Sequence, residues 1–449
     1  MKFPESLRPA VYRAVLGCYL LAAGVGLLPG AAAAAREDFD VRQYAAVGDG
    51  QTLDTAAIQR AVDACGAAGG GRVMFPAGTY LTGTIHLRSN VEWHLLPDAR
   101  ILGSTNLSHY DQFAAGTDLP RDNWHRGLLI GEGITNVAFT GPGVLDGNRV
   151  FDPHGEERLR GPHLLLLGHC ANVTLREVTL QDAANYAFLY LHTDNVSVDY
   201  VTFLGGWDGL HFRASAEHWN RGLRITHCQF FTGDDCIAGH YQQDALIEDC
   251  TINSSCNGIR VIGPVQNFVV AQSDFSGPGR REHRTSHRTN MLAAICLQPG
   301  AWTPTPGRMD EVYLHDLTLK DVTTPFHIAL RAGNSAGTIR IQNVTATGAY
   351  RAPITVESWG EPTFDAVSLQ HVQVEFTGGG TAADAGLEVR PPGVDARKLP
   401  AWGLYLRGVK RLTLDHVTLT TRTPDARPAM KAEGGGELVE TAVVFQAAK

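Results

Sequence analysis

Charge is scarce in this sequence. Of 449 residues, 19% are Asp, Glu, Lys or Arg, against about 25% in an average soluble protein, which excludes a disordered chain and a coiled coil. A basic excess is missing too. Lys and Arg number 38 against 46 Asp and Glu, a formal net charge of -8, so the phosphate-driven affinity of a nucleic-acid binder has no footprint here. Cysteine is sparse at eight residues, far from the density of a disulfide scaffold. There is no Cys-x-x-Cys and no His/Cys cluster at structural zinc spacing, so no metal or other cofactor is expected.

The long apolar run is confined to the beginning. Lys2, Arg8 and Arg13 precede an apolar stretch from Ala14 to Leu28, followed by Pro29, Gly30 and the small residues Ala31 to Ala35. This pattern predicts a secretory signal peptide over 1–35. The run is broken by glycines and falls short of the roughly 20 residues of a membrane span, so a secreted or periplasmic protein without a membrane anchor is expected once the leader is gone. Its removal would take the charge to -10 and, with Cys18, leave seven cysteines, an odd number.

What the sequence has in quantity is glycine, 49 residues, and repetition. Short segments recur, among them Ile134–Phe139, Asn172–Leu180, Asn195–Phe203, Leu223–Phe230, Leu246–Ile252, Phe268–Phe275, Val312–Leu319, Ile339–Val344, Val367–Val372 and Leu412–Val417. Each alternates apolar and polar residues, the period of a half-buried strand. The steps Asn172 to Asn195 and Leu223 to Leu246 are both 23 residues, and Leu246 to Phe268 is 22. Such a repeat predicts an all-β parallel β-helix, a single solenoid over 36–449, in which every coil buries its inward row against the next. Thr55–Cys65 carries a helical pattern, with Ala56, Ile58, Ala61, Val62 and Cys65 apolar, and would cap the first coils within 36–110. The less regular 421–449 would close the other end. Asn-x-Ser/Thr triplets occur at Asn106, Asn172, Asn195, Asn253 and Asn343. Three of these, Asn172, Asn195 and Asn343, share one repeat position, which favours a turn role over glycosylation.

Three coils can be laid over one another by their inward residues Leu210, Ile237 and Ile259. Asp208, Asp235 and Asn257 then share a column, with Asp234 next to Asp235. Neighbouring coils lie about 4.8 Å apart. Carboxylates so close repel when all are ionised, which raises at least one pKa. One acid kept protonated beside others kept ionised is what glycoside hydrolysis requires. A calcium site or a solvated Gly-Asp-Asp turn is the competing reading.

At these residues the sequence resembles glycoside hydrolase family 28, the polygalacturonases. The likeness runs through Phe39–Gly50, Asp54–Val62, Gly71–Tyr80, Gly141–Gly147 and, most specifically, Gly233–Ala238. The resemblance implies a right-handed, single-stranded pectin lyase-like β-helix and inverting hydrolysis of α-linked pectic polysaccharide. It implies Asp234 as general acid, with Asp208 and Asp235 activating water. The departures are specific. The family's Asn-Thr-Asp-Gly is here Gly206–Gly209 and its Gly-His-Gly is Cys256–Gly258; its Arg-x-Lys pair has no counterpart in Leu292–Gln298.

Replacement substrate contacts are available in Arg260, His211, Asn257, Arg213 and His240, since a guanidinium fork suits a carboxylate; Trp207 could stack on a sugar or shield a turn. The loop Arg280–Arg288 could form a basic rim for a polyanion. A monomer acting on a pectin-type polysaccharide is expected. The alternatives are a lyase, with calcium held by the aspartates and Arg260 as base, and a non-catalytic carbohydrate-binding solenoid.

Overall fold

The computed structural model describes residues 37–113, 125–360, 363–393 and 395–449; the leader assigned to 1–35, with Cys18, lies outside them. From Glu37 onward the chain forms one unit, a right-handed parallel β-helix whose strands pair in parallel throughout. The repeats stack residue on residue. Val173 pairs with Val196, Val196 with Leu223, Leu223 with Ala245 and Ala245 with Phe268. All five belong to one continuous core. A slip of one residue would turn every such row to solvent, so the apolar alternation sets the register.

Turns between coils are fixed by asparagine. Asn136, Asn172 and Asn195 all hold left-handed backbone, with φ of 58°, 58° and 57°, a conformation asparagine tolerates better than most residues. Their side chains form a ladder: Asn136 Nδ2 donates to Asn90 Oδ1 at 2.8 Å, Asn172 to Asn136 at 2.9 Å and Asn195 to Asn172 at 3.0 Å. The nitrogen that would carry a glycan at Asn172 or Asn195 is thus the donor of the ladder. The helix forms as Thr55–Ala67 and covers the first coils. It buries Ala57, Ile58, Ala61, Val62 and Cys65; Ala56, expected on the apolar face, is exposed, one position out of phase. Asp54 does not cap the helix with its side chain. Its carboxylate instead accepts from the backbone N–H of Val47 and Gly48, at 2.7 and 2.9 Å, and so ties down the preceding loop. At the far end, strands Met430–Glu433, Glu437–Thr441 and Val444–Gln446 pair onto the last full coil.

One wall is a sheet of twelve parallel strands, stacked along the axis in chain order from Ile85–His86 to Met430–Glu433. Side chains alternate across it. Leu210, Ile237, Ile259, Ile295 and Phe326 enter the core. Their neighbours His211, Ala238, Arg260, Cys296 and His327 form an outward column. The same column runs from His86 through Ile130, Leu166 and Leu189 to His211, and continues past His327 to Thr355, Tyr405 and Lys431.

Candidate active site

Register places the acids. Leu210 pairs with Ile237 and Ile237 with Ile259, so Asp208, Asp235 and Asn257 come two residues before in-step core positions on successive strands. Each carboxylate meets a different partner. Asp208 Oδ2 lies 2.6 Å from His211 Nδ1, and the His211 ring stacks on Tyr186 with centroids 4.6 Å apart. Asp235 Oδ1 accepts from the backbone N–H and the Nδ2 of Asn257, at 3.0 and 2.8 Å. Its Oδ2 is 3.8 Å from Arg260 Nη1. Asp234 Oδ2 is 3.2 Å from Arg160 Nη2 and 3.5 Å from His283 Nε2, and its Oδ1 is 4.0 Å from Arg288 Nη2. The Asp234 carbonyl accepts from the hydroxyls of Thr232 and Ser254, both at 2.7 Å, which holds the turn.

These partners split the three acids electrostatically. Burial, then the charges of Asp234 and Asp235, push Asp208 well above the usual carboxylate range. Burial also raises Asp235, against the opposing charge of Arg260. Burial works against ionisation of Asp234 as well, but the hydrogen bond from His283 and the charge of Arg160 outweigh it and hold this carboxyl well below its ordinary value. Burial, reinforced by Arg213 and His240, lowers His211 well below the usual imidazole range. Asp234 is therefore held toward its ionised form, while Asp208 is pushed toward its protonated form and His211 toward its neutral one. His283 keeps its donor on the correct side: the Ser286 N–H donates to Nδ1 at 3.1 Å, which leaves the proton on Nε2, facing Asp234.

Of the residues singled out in the sequence, Asp208, Asp234, Asp235, His211, Asn257 and Arg260 come together here. Arg213 hydrogen-bonds Tyr186, the ring over His211. His240 is buried beside Tyr241 and driven down to about 3 by burial and the Arg213 charge. Trp207 corrects an expectation. It is wholly buried, with Arg160 stacked 3.7 Å from its ring and His283 edge-on at 5.4 Å, so it shields the Asp234 clamp and offers no face to a sugar. Three residues touching the acids were missed or unplaced by the sequence. Arg160 sits in a loop outside the repeats, and His283 and Arg288 lie on the basic loop, whose inward faces no periodicity reveals. Trp302, 57% exposed, stands over Arg260 at 5.2 Å.

Asp234, Asp235 and Cys256 bring three donor atoms within 4.8 Å. They do not suit calcium, which takes six to eight oxygens. One donor is a thiol, and Arg288 Nη2 already donates to it at 2.8 Å.

A family model described as rhamnogalacturonase A/epimerase, pectate lyase-like, matches residues 39–99. A probable polygalacturonase of Vitis vinifera is 25% identical over 318 residues, covering 65% of this chain and 63% of that protein. An exo-poly-alpha-D-galacturonosidase of Dickeya chrysanthemi is 28% identical, covering 48% and 44%. The chain resembles the polygalacturonases. A plasmin and fibronectin-binding protein A of Streptococcus pneumoniae is also similar, 34% identical over 37% of this chain and 24% of that protein. The chain thus spans less than two thirds of each of these relatives. The family 28 exopolygalacturonase structure of Yersinia enterocolitica has the same fold, with a TM-score of 0.58 at 17% identity over 92% of this chain and 78% of that one.

Proposed function

We propose that the protein is an exported, inverting glycoside hydrolase that cleaves α-glycosidic bonds in pectin-type, uronate-bearing polysaccharide. The observation that carries this reading is the trio Asp208, Asp234 and Asp235, gathered on adjacent coils, with surroundings that raise Asp208 and Asp235 and lower Asp234. Hydrolysis needs one carboxyl to protonate the leaving oxygen and another to activate water. Asp234 is the acid in this proposal and Asp208 with Asp235 hold the water, the roles the polygalacturonase resemblance implies. Because Asp234 rests ionised against Arg160 and His283, it must take up its proton as the bound substrate weakens those contacts. Arg260 and Arg288 supply cations for a uronate carboxylate.

A second reading is proton abstraction beside a uronate carboxylate, as in a lyase. The ionised Asp234 and the neutral His211 favour it; the poor calcium fit counts against its metal-dependent form. One digest of a pectic polysaccharide panel separates the two. Hydrolysis yields new reducing ends without near-ultraviolet absorbance, and loss of that activity in Asp234→Asn supports the assignment. Unsaturated, absorbing products would replace it with a lyase, and binding without turnover would replace it with a non-catalytic solenoid.

A further inference from the structure

Away from the aspartates, we propose that His371, Asp415 and His416 form a site for a divalent transition-metal ion of the Zn²⁺ type, which clips two successive coils together toward the C-terminal end. Coil register brings the three together. His371 lies on the strand Phe364–Phe376, and Asp415 and His416 on Val409–Thr421. Gln370 pairs with Asp415 and Val372 with Val417, so His371 and His416 stand level on neighbouring coils. Both hold left-handed backbone, with φ of 53°, in a turn column that the two preceding coils fill with Asp316 and Asn343. There the side chains form a ladder, Asn343 Nδ2 donating to Asp316 Oδ1 at 2.9 Å. One coil on, the chemistry changes. The imidazoles of His371 and His416 stack with centroids 4.9 Å apart and planes 28° from parallel, and Asp415 Oδ1 lies 2.7 Å from His416 Nδ1.

This arrangement suits a metal ion in three ways. Each residue brings one ligand atom within 4.8 Å of the other two. Zinc bonds of about 2.0–2.1 Å set tetrahedral donors roughly 3.3 Å apart, so the 2.7 Å contact must open slightly and wider ones close, by side-chain rotations that two exposed imidazoles can make. The carboxylate is also available: among the described residues no Lys or Arg pairs with Asp415, whose ionic partner is His416. The cluster Asp234, Asp235 and Cys256 differs on this point, since Arg288 already engages it. Finally, two imidazoles and one carboxylate select zinc, copper or nickel over calcium and magnesium. Three protein donors leave a fourth position for water. No motif announces the site, because His371 and His416 are 45 positions apart in the sequence and meet only through coil register. The sequence-based expectation of a protein without metal could not have seen it.

The ion would act on the fold. Between the two strands the chain makes a long connection, 377–408, held to the sheet where Arg397 donates from both terminal nitrogens to the two oxygens of Glu357, each at 2.8 Å. A metal bridge from His371 to His416 closes this segment at its root, and links that close long loops have the most denatured-state freedom to remove. The site lies four coils beyond the turn at Asp249, about 19 Å along the axis, so its effect falls on the last coils and is separate from the hydrolase reading.

The test is a titration of the full chain, stripped with EDTA, with ZnCl₂ by calorimetry and CaCl₂ as the control. One zinc per chain and no calcium binding are expected, with a rise in Tm of about 3 °C at a hundredfold excess over Kd. His371→Asn and His416→Asn keep the left-handed turn, which asparagine already holds at Asn343 with φ of 52°. Each should weaken zinc binding at least about tenfold and abolish the gain in Tm, with the metal-free Tm confirming the fold. Absence of zinc binding at about 0.1 mM overturns the site. Undiminished one-to-one binding in the double variant His371→Asn/His416→Asn seats the ion on other side chains and overturns it as well, and calcium binding as tight as zinc overturns the assigned class of ion. Because no glycan enters the titration, its failure and the failure of the hydrolase reading are distinct.

Discussion

Removing the Arg160 charge should change when Asp234 can act as an acid. Arg160 Nη2 lies 3.2 Å from Asp234 Oδ2, and both side chains are largely buried. At an effective dielectric of about 20, unit charges about 4 Å apart interact by about 4 kcal/mol, which corresponds to about three pKa units; a neighbouring arginine commonly lowers a carboxyl by about 1–3 units. Arg160→Met deletes the charge but keeps an apolar stem on Trp207. The freed Glu156 and Glu157, which also face Arg160, add negative charge and push Asp234 in the same direction. The alkaline limb of kcat/KM, which reports the free enzyme's acid, should therefore move up by roughly 1–3 pH units. Two units above the wild-type limb, the variant should outpace wild type by about 10- to 100-fold, since each unit is a factor of ten. A gain of activity is not what a damaged fold produces. Arg160→Lys, which keeps the charge, should leave the limb in place. A limb that stays put in Arg160→Met, with the variant folded, would refute Asp234 as the acid.

Two stability measurements test the other ends of the charge pattern. Asp208 has a raised folded-state pKa, so its contribution is fully favourable only below the unfolded value of about 3.9 and is lost as pH rises toward the folded one; Asp208→Asn should raise Tm at pH 7, with the gain vanishing near pH 3, while activity collapses. An unchanged Tm at neutral pH would mean that Asp208 is not a strained acid. Glu357 is the reverse case, with its pKa lowered to about 2. Its stabilisation is present above the unfolded value of about 4.3 and is lost as pH falls through about 2, so Glu357→Gln should cost about 3 kcal/mol at pH 7 by denaturant unfolding and little at pH 2.

Coil register was legible because it rests on local alternation. Val173, Val196 and Leu223 each declare an inward row, and pairing in parallel turns equal spacing into a column. That arithmetic alone set Asp208 beside Asp235. It could not reach Arg160 or Arg397. Both lie in connections without a repeat, and their positions depend on how a loop folds over a sheet distant in sequence, which a period of two says nothing about. The helix missed by one position for a related reason: Ala56 and Ala57 are equally apolar, and only the packing against the first coils chooses between them.

The residues that were hard to read also carry the electrostatics. On the bare column Asp208 and Asp235 differ little, since each comes two residues before an in-step core residue, and Asp234 stands apart from them only by one position along the chain. They become distinct through groups delivered by loops. Arg160, His283 and Arg288 converge on Asp234, while Asp208 receives a neutral histidine three residues along its own strand. The scaffold sets the acids at coil spacing, where mutual repulsion guarantees that they cannot all ionise alike. The loops decide which one keeps the charge. A change of specificity or mechanism on this scaffold can therefore arise in 147–162 or 277–292 with every coil unaltered, because fold and function are separable here down to the side chain.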